Sequence, residues 1–265
     1  MKKLVVALTA FAAFTAPALA ADMAAKAPVR AAPVVYAPSW TGCYVGGGFG
    51  YGMWNQENTQ FLDGPPRIQL QDTHTNGGRG YLGTVDGGCD YQFSAIGTSF
   101  VIGGFANYDF ANIHGTFAAQ NGNYTGNEKL SSSWAAGGRI GWVALPGLLT
   151  YFSAGYTEAT FDRTNLSFFP QTIPANVNFY FFDKQTYKGW FLGAGDEYAL
   201  NFLPGLFWKT EYRFSQFDAG RNTIRFTATG LPNGDSFDTQ KYTHTIRSEL
   251  VYRFNWGGTP VVAKY

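Results

Sequence analysis

The stretch Trp208-Lys209-Thr210-Glu211-Tyr212-Arg213-Phe214-Ser215 alternates with period two. Lys209, Glu211, Arg213 and Ser215 fall on one face of an extended strand, and Trp208, Thr210, Tyr212 and Phe214 on the other. A second stretch repeats the pattern: Arg247, Glu249 and Arg253 alternate with Ile246, Ser248, Leu250, Tyr252 and Phe254. A charged side chain facing lipid near the bilayer midplane costs about 2–4 kcal/mol for Arg or Lys. In a membrane the charged faces therefore point inward and the aromatic faces outward. Arg139, opposed to Trp134, Ile140 and Trp142, places a third strand in the same orientation.

Working outward, the chain contains eight such aromatic, glycine-studded segments: 40–54, 79–93, 98–110, 129–144, 149–162, 185–200, 205–219 and 241–256. Short connections (Ser94-Ala95-Ile96-Gly97, Leu145-Pro146-Gly147-Leu148 and Asn201-Phe202-Leu203-Pro204-Gly205) alternate with long polar ones near 55–78, 111–128, 163–184 and 218–240. Tight turns on one side and long loops on the other predict an all-β fold, an eight-stranded antiparallel transmembrane barrel of up-and-down topology. Residues 173–182 (IPANVNFYFF) are apolar enough to form a further strand paired with part of 111–124, which would make ten. Trp40, Trp54, Trp134, Trp142, Trp190, Trp208 and Trp256 sit near the predicted strand ends and suggest interfacial girdles.

Composition supports a membrane barrel. The 265 residues are 18% aromatic and only 14% charged, against roughly a quarter charged in ordinary soluble domains. Mean hydropathy is −0.14, too low for a helical membrane protein, whereas a barrel averages its lipid and lumen faces to a middling value. Residues 1–20 carry a basic start (Lys2, Lys3), an apolar run from Leu4 to Phe14 and the small-residue motif Ala18-Leu19-Ala20, the pattern of a signal peptide cleaved near Ala20. Residues 21–39 then read as an Ala/Pro-rich periplasmic leader, 40–256 as the barrel and 257–265 as a tail. Of 19 basic side chains the signal segment takes Lys2 and Lys3, and of 18 acidic ones none, so the remainder is near neutral and gives no reason to expect nucleic acid as a partner.

Two cysteines in an exported chain suggest a bridge. If Cys43 pairs with Cys89, the same antiparallel register pairs Trp40 with Gln92 and Trp54 with Gly78, the natural ends of the first hairpin. Two free thiols are the alternative. Gly46-Gly47-Gly48 has neither the following helix nor the lysine of a phosphate loop, and reads as a place where strands bend and pack closely.

Arg139, Lys209, Glu211, Arg213, Arg247, Glu249 and Arg253 form the predicted lumen charge network. An eight-stranded barrel is just wide enough for side chains to fill, so the set is read first as a plug of ion pairs. The alternative is a small passive pore whose basic excess selects anions. Catalysis has little to stand on. His74 and His114 fall in predicted loops, and His244 shares a face with Ser248 without an evident third member; a barrel lipid hydrolase or acyltransferase is the third reading. Asp86, Asp90, Asp196 and Glu197 are the densest strand acids but lack metal-ligand spacing. No catalytic residue, cofactor or metal is expected.

Trp40-Thr41-Gly42-Cys43-Tyr44-Val45-Gly46-Gly47-Gly48-Phe49-Gly50-Tyr51, Gly88-Cys89-Asp90-Tyr91-Gln92-Phe93, Leu250-Val251-Tyr252-Arg253-Phe254 and the tail Val261-Val262-Ala263-Lys264-Tyr265 resemble the first, second and last strands and the terminus of the alphaproteobacterial outer-membrane immunogen proteins. These are also labelled porin-family proteins and are similar to the transmembrane domain of OmpA. The resemblance implies an outer-membrane barrel with a structural or surface role, lodged among outer-membrane lipid and lipopolysaccharide and inserted by the barrel-assembly machinery. That machinery would read an aromatic-ended last strand, with Tyr252 and Phe254, or the terminal Tyr265, as the signal. What the outer loops bind is left open.

Overall fold

The computed structural model describes residues 38–168 and 178–254. The expectations for the signal peptide, most of the leader, Trp256 and the tail with Tyr265 lie outside the described residues. Within them the strands are β1 (Gly42–Leu62), β2 (Ile68–Gln69), β3 (His74–Ala95), β4 (Thr98–Ala118), β5 (Tyr124–Leu145), β6 (Leu148–Phe161), β7 (Thr164–Phe168), β8 (Asn178–Phe182), β9 (Gln185–Ala199), β10 (Leu206–Phe217), β11 (Gly220–Phe226) and β12 (Pro232–Phe254).

All the main pairings are antiparallel. β1, β3, β4, β5, β6, β9, β10 and β12 follow one another around a ring, and β12 returns to β1 from Cys43↔Phe254 to Leu62↔Asp235. The closed ring leaves no unpaired edge in the hydrocarbon. The eight-stranded barrel read from the sequence is therefore the observed fold.

The polar stretches expected to be long loops are for the most part strand. β1, β3, β4, β5 and β12 run 21 to 23 residues, whereas crossing takes roughly 9–11. β7, β8 and β11 prolong the staves of β6, β9 and β10 past breaks at Asp162-Arg163, Asp183-Lys184 and Asp218-Ala219. They keep the same order, β5–β7–β8–β11–β12, so the ring closes again above the breaks. Residues 178–182 are strand, as their composition hinted, but they pair with β7 and β11 and add no stave. Twenty-two residues of strand reach about 70 Å; tilted by about 40°, they exceed a lipid belt of about 25 Å by roughly as much again. The barrel stands well proud of the membrane.

Local sequence explains the turns at the other end. Ile96 and Gly97 carry φ of 52° and 76°, the two left-handed positions of a tight hairpin turn matched to strand twist. Gly46 and Gly48 point into the lumen. A Cβ at Gly46 would strike the Asp86 carboxylate, and one at Gly48 the Ser248 carbonyl, while the outward-facing Gly47 has room. The glycines let β1 approach β12 and leave space for an acid.

Candidate functional site: a charged lumen

Every residue of the predicted network faces the interior. Arg139, Lys209, Glu211, Arg213, Arg247, Glu249 and Arg253 are all buried. They are joined by Asp86, Asp90, Asp109, Glu128, Glu197 and Lys241, which the strand-by-strand reading did not include in the network. The apparent basic excess is thereby cancelled, and the anion-selecting lining inferred from it loses its premise. A signal was available: Asp86, Asp90, Glu197 and Lys241 each lie in phase with the inward face of their strand.

The charges are arranged in layers. Nearest the short turns, Arg139 and Arg253 interlock with Asp90 and Glu197. Arg253 donates to Glu197 at 2.6 and 2.8 Å and to Asp90 at 2.7 Å, and Arg139 donates to Glu197 at 3.0 Å and to Asp90 at 2.9 Å. Trp40 seals this end. Its carbonyl accepts from Arg253 at 3.0 Å and its ring lies 5.6 Å from that of Phe207. Above sit Lys209, paired with Asp86 and with Glu249 at 3.0 Å, and the rings of Tyr44 and Tyr151. Next, Arg213 donates to Glu211 at 2.8 Å and to Asn107 at 2.7 Å over the face of Phe191, while Arg247 holds Asp109.

An apolar layer of Trp54, Leu82, Ile113, Leu130, Phe161 and Phe217 follows. Lys241, with no exposed surface, donates to Glu128 at 2.6 Å and to Gln56, its ammonium 3.9 Å from the centre of the Phe161 ring. Beyond the breaks the interior is an apolar core of Phe117, Tyr124, Leu166, Phe182, Ile224 and Phe237. A lumen cavity between Leu82, Arg213 and Arg247 measures about 10 Å³, room for about one water.

The outer wall is the complement. Trp134, Tyr156, Trp190, Tyr108 and Tyr81 ring one level, and Trp142, Phe152, Tyr198, Trp208, Tyr252 and Phe254 the other, with Ile102, Ile140, Leu192 and Ile246 between. Trp40 and Trp54 do not belong to these girdles: each is 1% exposed and fills the lumen. The even-numbered phase of β1, shared by Tyr44 and Trp54 and continued back to Trp40 just before the strand, is the reason. Cys43 and Cys89 are register partners and are bonded to each other, on the outer wall close to Tyr91.

The histidines are not organised for catalysis. His244 faces outward and shares a 2.8 Å hydrogen bond with the Tyr212 hydroxyl, while the Ser248 hydroxyl accepts from Trp208 Nε1 at 2.8 Å. His74 and His114 lie on strands, not in loops, and bond to the Ala118 carbonyl and to Asn112 and Asn127. Asp86, Asp90 and Glu197 are occupied by cations, and Asp196 takes a hydrogen bond from Thr150.

An edgeless barrel that shows lipid an apolar wall and keeps ion pairs within is an integral β-barrel protein of the bacterial outer membrane. Comparison with known proteins gives the same placement. Over 260 residues the chain is 28% identical to the 31 kDa outer-membrane immunogenic protein of Brucella melitensis biotype 1, covering 96% of this chain and 100% of that one. The Brucella suis biovar 1 protein of the same name matches equally. The outer-membrane protein OprG of Pseudomonas aeruginosa shares the fold, with a TM-score of 0.53 at 12% identity, over 83% of this chain and 100% of that one. No family model matches. The resemblance read from the strand motifs therefore holds along nearly the whole chain.

Proposed function

We propose that this protein is a closed barrel with a structural and surface role, stiffening the outer membrane and carrying a rigid tower above it, with no chemistry of its own. The observation that supports this most directly is the filled lumen. From Trp40 to Phe237 the inward layers are ion-paired, apolar or, at Asn58, Asn222 and Thr239, joined by hydrogen bonds, and a lumen filled in this way leaves no file of water for an ion to follow. In this reading the chain is exported by a signal peptide cleaved near Ala20. The outward-facing Tyr252 and Phe254 serve the barrel-assembly machinery as the terminal aromatic signal, and lipid and lipopolysaccharide are the surroundings.

Conductance of folded protein in a planar bilayer tests it. Wild-type protein should give no discrete steps, and Arg213→Ala should remain silent, because the Lys241 and Arg139–Arg253 layers still close the path. Reproducible wild-type steps whose ion selectivity shifts in Arg213→Ala would establish the pore instead.

A further inference from the structure

Basic side chains among the described residues fall into two groups. Those of the lumen are each matched to a carboxylate, and on the tower Arg67, Arg221 and Arg225 pair with Asp63, Asp238 and Asp183. Arg79, Lys129, Arg163 and Lys184 form no ion pair among the described residues, and Lys188 faces Glu158 across the β6–β9 register. These cations share one location. Arg79 lies two residues beyond the girdle residue Tyr81 on the outward face of β3, and Lys188 two residues before Trp190 on β9. Lys129 is in register with His114, which is in register with Arg79. Arg163 and Lys184 stand at the breaks where β6 and β9 leave the membrane-spanning ring.

We propose that this band binds the phosphorylated sugar headgroups of outer-leaflet glycolipid. Cross-strand neighbours on one face sit about 5 Å apart, so Arg79 and Lys129 stand about 10 Å apart on either side of His114, whose ring nitrogens are taken by Asn112 and Asn127. The repulsion between two like charges at this range is relieved by a negative group placed between them. At the headgroup level of an outer membrane, a phosphate can do so.

The row leads into an open groove of about 370 Å³ walled by Thr125, Asn127, Arg163, Asn165, Ser167 and Asn178. Amides and hydroxyls around one guanidinium suit sugar hydroxyls beside a phosphate. The Arg163 guanidinium lies 3.6 Å from the centre of the Phe181 ring, and among the described residues its N–H groups meet no acceptor. Four carboxylates share the band. Glu158 takes hydrogen bonds from Tyr156 and Trp134 at 2.7 and 3.2 Å and faces Lys188 in the register. Asp162 adjoins Arg163, Asp183 is paired with Arg225, and Asp218 stands at the third break, its backbone N–H donating to the Lys188 carbonyl. The glycolipid site rests on the membrane placement of the barrel but not on a closed lumen, so the conductance result does not bear on it.

The test uses folded full-length mature protein in phosphatidylcholine nanodiscs containing a few per cent of either lipopolysaccharide or phosphatidylglycerol, with retained lipid read by native mass spectrometry. Wild type should retain lipopolysaccharide in preference to phosphatidylglycerol. The Arg79→Gln/Lys129→Gln/Arg163→Gln variant should bind it on the order of a hundredfold more weakly, and Arg221→Gln/Arg225→Gln should bind as wild type. Heat-modifiable gel migration reports folding, and Arg163→Gln alone serves should the triple variant fail to fold. Unchanged retention in the variants, equal retention of phosphatidylglycerol, or displacement by millimolar inorganic phosphate would each overturn the proposal.

Discussion

Replacing Arg253 by Met strikes the most tightly connected layer of the lumen. Arg253 donates to Glu197 through two nitrogens, to Asp90 and to the Trp40 carbonyl, and its side chain, like those carboxylates, is fully buried. Removing it leaves Asp90 and Glu197 to share Arg139 alone, an excess negative charge enclosed by rings. Breaking a buried pair by deleting one partner costs about 3–5 kcal/mol, because the survivor stays desolvated. Deleting a charge of each sign should cost far less than two single losses. Arg253→Met/Glu197→Leu returns the layer to the neutral pair Arg139–Asp90, and the two changes should fall short of additivity by about 2 kcal/mol or more.

The assay is equilibrium unfolding in urea from lipid vesicles, followed by the fluorescence of the tryptophans, Trp40 being in this layer. The loss should persist at 1 M salt, since buried pairs are little screened. A single-variant cost below about 1 kcal/mol, with an additive double variant, would mean that the charges are hydrated as exposed pairs are. The lumen would then be wet, and the closed-barrel reading would fall with it.

Three further outcomes are expected. The Cys43–Cys89 bond spans a sequence separation of 46, for which chain entropy sets a ceiling of about 4 kcal/mol; Cys43→Ala/Cys89→Ala should lower the urea midpoint, and an unmoved midpoint would show that the hairpin register already confines the unfolded chain. Gly48→Val should fail to assemble the β1–β12 closure, because even a Cβ there strikes the Ser248 carbonyl and lies 2.7 Å from Glu249 Cα; heat-modifiable migration would reveal it, whereas Gly47→Val, whose Cβ meets nothing nearer than the Thr84 carbonyl at 3.4 Å, should fold. On the tower, the hydrogen bond from Arg67 holds the Asp238 carboxyl below the usual carboxylate range. A depressed folded-state pKa stabilises above the ordinary carboxylate value and is lost as pH falls through the folded one. Hydrogen exchange at the outer ends of β1 and β12 should therefore speed up only below about pH 4. With Asp238 40% exposed, the effect should stay well under 1 kcal/mol.

The membrane-spanning half of this fold was legible because its alternation is extreme. Lys209, Glu211 and Arg213 against Trp208, Tyr212 and Phe214 admit one orientation in lipid, and the register implied by Cys43 and Cys89 is the observed one. Partners across the ring were not legible. Arg139 meets Glu197 at a separation of 58 residues and Arg247 meets Asp109 at 138, distances at which alternation along a single strand gives no phase relative to another. Lys241 was hidden differently. It stands at the edge of the polar stretch 218–240, where the sequence reads as loop, yet it is the cation of a complete inward layer with Gln56 and Glu128.

The tower was misread for a reason that lies in the solvent. Along β12 the inward residues keep one phase throughout, from Phe237 through Thr239, Lys241, Arg247 and Arg253. What changes at Lys241 is the chemistry of the two faces. Above it the interior is Phe237 and the exterior Asp238 and Gln240; below it the interior is Arg247 and the exterior Ile246, Leu250 and Tyr252. β4 turns over in the same way, from Asp109 inside and Phe110 outside to Phe117 inside and His114 outside. A stave that leaves lipid for water must exchange the hydrophobicity of its faces without shifting its pleat, since a one-residue slip would turn every side chain around. Read as a single alternating pattern, the strand ends where that exchange occurs. The exchange itself marks the outer membrane surface, and Arg79, Lys129, Arg163, Lys184 and Lys188 stand along it.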